Sequence, residues 1–224
     1  MQNLNILGVA LTDYSLKESL FMLDGFIKGG GLKTILYLTT PMLIMAGEDA
    51  EEKAAIEAMD MTLCGDADIL RVAGIKSASR QYEVDNLVFL KEFLRRLARN
   101  GRKVYLLAES EEEVNLLRED LEALQSGIII GGSSTATDEE DEIINQINDI
   151  APTAVISRMP SKRQEKWMMG AKLLVNAEVW LGISKDMILD RTKEPLSRKF
   201  MDKVYKKIFQ SRMNRFNDGN ERGE

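Results

Sequence analysis

The chain has 224 residues, 44% of them hydrophobic and 29% charged, which is ordinary for a soluble globular protein and sufficient for one substantial core. It contains no histidine, which excludes Ser-His-Asp and Cys-His nucleophilic sites and histidine-based zinc sites. Its single cysteine, Cys64, excludes an intrachain disulfide bond.

The charge is unevenly distributed along the chain. Residues 191–215 carry nine basic and two acidic side chains, a net charge of +7. The net charge of the whole chain is −6, so all other residues together carry −13. We therefore predict an α/β domain over residues 1–190 and a basic amphipathic appendage over residues 191–224, with a disordered end from residue 217. The N-terminal residues lack the pattern of a signal peptide and no apolar run is long enough to span a bilayer, so we expect a cytoplasmic protein.

Short apolar runs alternate with segments of helical periodicity. The predicted strands are Asn5–Val9, Thr34–Thr39, Met61–Cys64, Lys103–Ala108, Gly127–Ile130, Ala154–Ser157 and Val179–Gly182. The predicted helices are Ser15–Lys28, Asp85–Asn100, Glu111–Leu124, Asp138–Ile150 and Arg163–Val175. Several strands are continuously apolar, which indicates burial on both faces. The pattern predicts an α/β fold: a Rossmann-like, mostly parallel open sheet with helices on both faces, plus a basic C-terminal helix.

Polar residues follow several predicted strands, where open α/β sheets bind their ligands. Thr39 and Thr40 suit a sugar or a phosphate, but Thr40 with Pro41 also reads as the start of a helix. Asp66, after Gly65, is a candidate general base, a ribose partner or a helix N-cap. At each of these positions the ligand-binding or catalytic interpretation and the helix-start interpretation both stay open.

Two further junctions are polar. Ser110 is expected to cap the helix that follows, with Glu113 as its return partner, as Ser15 and Glu18 do earlier in the chain. Residues 133–142 are acidic and read as a surface loop, with a mobile lid as the alternative.

The segment Met159–Trp167 (MPSKRQEKW) is the most unusual string in the sequence. Basic residues at the start of a helix oppose the helix dipole, so their presence suggests a function. Arg163 suits a diphosphate, and Gln164 suits a sugar or a base. Nowhere does the sequence contain G-x-G-x-x-G or a P-loop, so a dinucleotide or nucleoside-triphosphate fingerprint is lacking.

Taken in order, these junctions resemble the WecG/TagA/CpsF family of bacterial glycosyltransferases, over about residues 5–195. PSKRQEKW looks like the Pro-x-Gln-Glu-x-Trp segment of that family, with two residues added after Pro160. VWLGISKD keeps Gly182 and Asp186 of the family's Val-Gly-Val-Gly-x-x-x-Asp strand end. TPMLIMAGED, GRKVYLLAES and IINQINDIAPTAVIS are similar to further helices and strands of the family.

The resemblance implies an inverting, metal-independent hexosyltransferase without a cofactor. Such an enzyme moves a sugar, typically N-acetylmannosamine, from a UDP-sugar donor to a lipid-linked acceptor in polysaccharide or teichoic-acid synthesis. It implies Asp66 as the catalytic base. Thr39, Thr40, Arg163, Gln164, Glu165 and Asp186 are the expected substrate-binding residues. We further expect the Asp66 turn and the Arg163–Glu165 helix start to open onto one cleft.

The sequence also departs from the family pattern. The Asp-Gly of the family is Gly65-Asp66 here, its strand-end Asn is Thr39, its Thr is Tyr37, and its Gly-Gly is Ala108-Glu109. These differences leave an alternative: a catalytically inactive relative that binds a nucleotide-sugar or a partner protein.

Residues 198–216 form the basic tail. Aromatic and aliphatic residues share one side of a predicted helix and lysines the other, which suits an anionic membrane surface. The alternative is a final helix packed on the body. By the first interpretation the protein is peripheral on the inner face of the cell membrane. Nucleic acid is not an expected partner, because the body is acidic; the sequence leaves room for a homo-oligomer.

Overall fold

The structure is a computed structural model and describes residues 1–189 and 196–221. Its first half contains β1 (Gln2–Ile6), β2 (Val9–Asp13), α1 (Leu16–Gly29), β3 (Lys33–Leu38), α2 (Thr40–Ala46), α3 (Ala50–Glu57), β4 (Met61–Cys64), α4 (Ala67–Val72), α5 (Ala78–Asp85) and α6 (Val88–Arg99). Its second half contains β5 (Lys103–Ala108), α7 (Glu111–Leu124), β6 (Ile129–Thr135), α8 (Glu140–Ile150), β7 (Ala154–Met159), α9 (Arg163–Gly170), a short 3₁₀ helix (Ala171–Leu173), β8 (Val179–Ser184) and α10 (Leu196–Glu221).

Six parallel strands form the central sheet in the order β4-β3-β8-β7-β5-β6. Alternate residues of each strand enter two hydrophobic cores. Leu36 and Trp180 face the core under α2, α3, α8, α9 and α10. Ile35 and Leu181 face the core under α1, α6 and α7. Both sheet faces are thus covered, which explains the continuously apolar strands and confirms the predicted α/β fold.

The N-terminal segment forms a hairpin, so the predicted strand Asn5–Val9 is wrong. β1 and β2 pair in antiparallel register outside the main sheet. Leu7 and Gly8 make the turn between them with φ of 54° and 86°. Two positive φ values are those of the tight hairpin turn whose twist matches that of the flanking strands.

β6 is longer than predicted and takes in residues that were expected to start an acidic loop. Ser134 lies in the strand, and its hydroxyl contacts Tyr105 and lies 2.9 Å from Gln146 Oε1. A Cβ on Gly132 would lie 2.4 Å from Ile150 Cδ1, so α8 packs closely on this strand. These side-chain partners satisfy a segment whose composition reads as a loop.

The predicted helix caps are present in two places. Ser15 and Glu18 form the expected capping box of α1. Ser110 accepts a hydrogen bond from the Glu113 amide, but the Glu113 carboxylate pairs with Lys185 at 3.3 Å instead of returning to Ser110. The predicted helix Asp85–Asn100 begins at Val88, because Asp85 ends the separate helix α5.

α10 packs against α2 and α4 on one face of the sheet. Phe209 and Met213 are buried in the core under that face, and Arg212 pairs with Glu48 at 2.6 Å. The helix continues to Glu221, although the sequence predicted a disordered end from residue 217. Predictions for residues 190–195 and 222–224, including basic Arg191 and Lys193, lie outside the described residues, as do the side chains of Arg198 and Lys199.

Candidate active site

A cleft of about 640 Å³ opens beyond the carboxyl ends of β3, β4 and β8, which are neighbours in the sheet. Its lining is Thr39, Thr40, Pro41, Gly65, Asp66, Ala67, Asp68, Arg71, Asp85, Leu87, Asp186, Met187, Ile188, Met201, Tyr205 and Lys206. Its position is that of ligand sites in open α/β sheets, and its volume lies in the range of small-molecule sites.

Asp66 joins the two helices that begin in this cleft. Its carboxylate accepts hydrogen bonds from the Thr40 amide at 2.7 Å and from the Thr40 hydroxyl at 2.9 Å. It also caps α4, accepting from the backbone amides of Asp68 and Ile69. The structure therefore shows Asp66 as the cap of α4, and its role as a catalytic base stays a prediction.

Gly65 brings Asp66 to this position. The Gly65 amide donates to the Leu38 carbonyl at 2.7 Å, which extends the pairing of β4 with β3 by one residue. A Cβ at position 65 would lie 2.8 Å from that carbonyl oxygen. The backbones at Gly65 and Leu38 therefore approach too closely for a side chain at position 65, which explains why glycine precedes Asp66.

The Asp66 carboxyl titrates unusually. Burial raises its pKa above the ordinary value for an aspartate, and the neighbouring Asp68 adds to the rise. Hydrogen bonds from Thr40 and from the Ile69 amide oppose it, because they favour the ionised form. A carboxyl group with a raised pKa in a cleft has the properties of a general base.

Two cations line the cleft, and both contact Asp68. Arg71 donates to Asp68 through Nε at 2.8 Å. Lys206 Nζ, on α10, lies 2.9 Å from the same carboxylate. Arg71, Lys206 and Asp68 thus form a charged cluster in the wall of the cleft.

α10 forms one wall of the cleft. Met201, Tyr205 and Lys206 line it, while Phe209, one turn further on, is fully buried under the same helix. Burying a phenylalanine stabilises the helix position by roughly 1.5–3 kcal/mol. The helix predicted as an appendage is therefore part of the site.

Thr39 and Asp186 lie at the ends of β3 and β8. Thr39 is buried, and its hydroxyl has no hydrogen-bond partner within residues 1–189 and 196–221. Asp186 is exposed, and its amide donates to the Ser184 hydroxyl at 3.2 Å. With Thr40 and Asp66, these residues are the four predicted site residues that the structure brings together.

The start of α9 lies at the same edge of the sheet but away from the cleft. Arg163 contacts the Ala136 carbonyl and lies 3.6 Å from Glu109, and it is not among the described residues that line the cleft. β7, which precedes α9, is separated from β4 by two strands, a lateral distance of roughly 14 Å at the usual strand spacing. This spacing places Arg163, Gln164 and Glu165 apart from Asp66.

Gln164 belongs to a buried polar chain. Trp180 Nε1 donates to the Ser157 hydroxyl at 2.8 Å, which donates to Gln164 Oε1 at 3.1 Å. The Met159 amide donates to the same Gln164 oxygen at 3.2 Å. The side chain is fully buried, and its Nε2 finds no acceptor in the part of the chain that the structure describes.

Sequence patterns missed several cleft residues. Arg71, Asp68 and Asp85 lie in a segment with no distinctive motif, and Tyr205 and Lys206 come from the far end of the chain. The one available signal was the excess of basic residues in the tail, which we assigned to a membrane. Across the described ranges there is no group of three or more carboxylates and thiols placed to hold a metal ion.

The sequence model of the glycosyl transferase WecG/TagA/CpsF family matches residues 4–187. The matched range includes all strands of the sheet and excludes α10. No curated protein sequence matches the chain significantly.

Proposed function

The chain belongs to the WecG/TagA/CpsF glycosyltransferase family, and we propose that it transfers a hexose, such as N-acetylmannosamine, from a UDP-sugar to a lipid-linked acceptor in the Asp66 cleft. Family membership implies a glycosyltransferase of cell-surface polysaccharide synthesis, with a nucleotide-sugar donor. The observation that carries the proposal is the position of the Asp66 carboxyl group, which lines a cleft of about 640 Å³ beyond the carboxyl ends of β3, β4 and β8. Burial raises the pKa of this group, which supports a role as a base. The reaction proposed needs no cofactor and no metal.

Asp66 acts as the base in this proposal. Its carboxylate removes a proton from the acceptor hydroxyl, whose oxygen attacks the anomeric carbon of the donor while the bond to UDP breaks. A single displacement of this kind inverts the configuration at the anomeric carbon. Thr40 orients the carboxylate, because its hydroxyl lies 2.9 Å and 3.0 Å from the two Asp66 oxygens. The hydroxyl can donate to one of these oxygens at a time, which leaves the other oxygen to accept the proton of the substrate hydroxyl.

Arg71 and Lys206 are the candidates for stabilising the leaving diphosphate. Both now contact Asp68, and a diphosphate with its higher charge competes for them. Negative charge that develops on the leaving group is stabilised by cations already in place. Thr39 and Asp186, on the neighbouring strand ends, are proposed to contact the sugars.

The residues at the start of α9 receive a different role. Gln164 and Glu165 are fully buried, so we propose that Gln164 holds α9 on β7 and that Glu165 packs the helix against α3. Arg163, with 41% of its side chain exposed, remains accessible to the outer part of a long acceptor.

We propose that residues 198–216 bring the cleft to an anionic membrane surface. Lys203 and Lys207 are exposed, as are Met201 and Ile208, with 45% and 38% of their surfaces accessible. Each basic residue near an anionic surface contributes about 1 kcal/mol. None of the helices within the described ranges has the length and apolar character to span a bilayer.

A binding module without activity is the second candidate. The favouring observation is that Asp66 already accepts four hydrogen-bond donors, two from Thr40 and two from α4, which suits a purely structural role. Under this alternative the protein binds a nucleotide-sugar or a partner enzyme without turnover.

A transfer assay with UDP-sugars separates the two candidates. The parent should transfer sugar to a lipid-linked acceptor, and Asp66→Asn should abolish transfer while UDP-sugars still raise the unfolding midpoint. Midpoint shifts without turnover by the parent would favour the binding module. Salt-sensitive binding to anionic vesicles, with no binding to RNA, tests the surface proposal.

A further inference from the structure

Two buried carboxylates meet on one hydroxyl where α9 packs against α3. The Ser161 hydroxyl contacts Glu52 Oε1 on α3 and lies 3.3 Å from Glu165 Oε1 on α9. Glu52 is 3% exposed and Glu165 is fully buried. The cluster is distinct from the cleft, whose lining residues include none of these three.

The hydrogen bonds of this cluster favour an extra proton. A serine hydroxyl carries one proton and donates it to one acceptor at a time. If both carboxylates were ionised, one would face the lone pairs of the hydroxyl and a like charge at a partly buried site. One additional proton resolves this: Glu165 donates to Ser161, which donates to Glu52.

The cations nearest to the cluster have other partners, although Lys162 also interacts electrostatically with Glu52. Lys162, at the start of α9, pairs with Asp49 at 2.5 Å, and Arg163 contacts Glu109. Lys166, also on α9, is exposed to solvent. On α3 itself, Lys53 lies 4.0 Å from Glu57. The second oxygen of Glu165 is buried and makes no hydrogen bond to any described residue.

Burial raises the pKa of Glu165 to about 7, and the like charge of Glu52 adds to the rise. Hydrogen bonds from the Ser161 hydroxyl and from the backbone amides of Lys162 and Glu165 oppose it. The bound proton is therefore released near neutral pH. The folded protein holds this proton more tightly than the unfolded chain does, so proton binding stabilises the fold. This stabilisation is complete below the ordinary glutamate pKa and is lost as pH rises through about 7.

The turn before α9 has a strained backbone and is held in place by side-chain contacts. Lys162 has φ of 64°, in the left-handed region that non-glycine residues avoid. Its side chain and that of Ser161 are the two polar contacts that hold this turn on α3. Ionising Glu165 places two negative charges across one of these contacts.

We propose that Glu52, Ser161 and Glu165 form a proton-binding site whose occupancy holds the start of α9 on α3, and whose deprotonation loosens that helix. The site makes the position of α9 sensitive to pH, independently of the proposed transferase reaction. Trp167 lies on α9 with its ring 6.5 Å from that of Trp180 on β8, so its fluorescence reports the helix position.

The experiment is a titration of the full chain labelled with ¹³C at the glutamate carboxyls, followed by NMR from pH 4.5 to 9. We expect one carboxyl to titrate near neutrality, together with a change in tryptophan fluorescence. Glu165→Gln, which mimics the protonated form, should remove both transitions. Glu51→Gln, which alters an exposed carboxylate on α3, should leave both unchanged.

Glu52→Gln keeps the test decisive if Glu165→Gln does not fold. Removing the like charge should move the neutral transition to lower pH, by about one pH unit. The proposal is overturned if no glutamate titrates above the ordinary range, if the transition survives in Glu165→Gln, or if Glu52→Gln leaves its midpoint in place. A carboxyl transition without any fluorescence change overturns the coupling to α9.

Discussion

Thr40 donates both its amide and its hydroxyl to Asp66, at 2.7 Å and 2.9 Å, and thereby fixes the carboxylate at the mouth of the cleft. The two residues follow adjacent parallel strands, β3 and β4. The pair thus links the starts of α2 and α4.

Replacing Asp66 with Asn should lower sugar transfer by on the order of 10²–10⁴-fold, because an amide is too weak a base to take the acceptor proton. The amide oxygen of Asn can still cap α4, but its Nδ2 group then faces the Thr40 amide donor, so we expect a lower unfolding midpoint. Transfer rates at saturating donor, with circular dichroism as a check on folding, measure this. Turnover equal to that of the parent would exclude Asp66 as the base.

Replacing Thr40 with Val should change the pH dependence of transfer. The Thr40 hydroxyl favours the ionised form of Asp66, so its loss raises the pKa further. Because the base must be ionised, the rise of activity with pH should move to higher pH. Thr40→Ser, which keeps the hydroxyl, is the matched control. An unshifted profile in the valine variant would show that another group limits the rate at low pH.

Replacing Gly65 with Ala should destabilise the protein by about 1–3 kcal/mol, since the added methyl meets the Leu38 carbonyl at 2.8 Å. Gly25, within α1, has no described atom near enough to obstruct a Cβ. Gly25→Ala should therefore stabilise by about 0.5–1 kcal/mol. Urea unfolding of both variants measures the contrast, and equal effects would contradict the close approach of β3 and β4.

Replacing Lys206 with Ala should weaken donor binding by roughly tenfold, because it removes one of the two cations, Arg71 and Lys206, that we propose to bind the diphosphate. Lys203, exposed on the same helix, is the control. Lys203→Ala should leave the KM for a soluble donor unchanged and should reduce binding to anionic vesicles. Titration with the UDP-sugar measures the first effect. Similar KM values for both variants would remove Lys206 from the site.

The sequence predicted elements well where local signals agree. α7 has the predicted bounds Glu111–Leu124, because Ser110 caps it and its apolar spacing is regular. The hairpin was not predicted, because an apolar residue, Leu7, occupies a turn position that usually holds Asn or Asp. β6 escaped because its polar residues are satisfied by Tyr105 and Gln146, which lie far away in the sequence.

The candidate site could be predicted only in part. Thr40, Asp66 and Asp186 follow strands, and parallel strands place their ends at one edge. The order of strands in the sheet is not a local property, so the distance between the ends of β4 and β7 could not be read from the chain. The basic start of α9 is explained by Glu109 and Asp49, remote partners that the string PSKRQEKW does not reveal.

The wall that α10 contributes has a consequence for biosynthesis. Every strand of the sheet leaves the ribosome before Tyr205 and Lys206, so a nascent chain can assemble its sheet while the cleft is still open on one side. Competence to hold a ligand is then acquired in a final docking step, anchored by Phe209. Loss of α10 would open the cleft on one side and expose the core around Phe209.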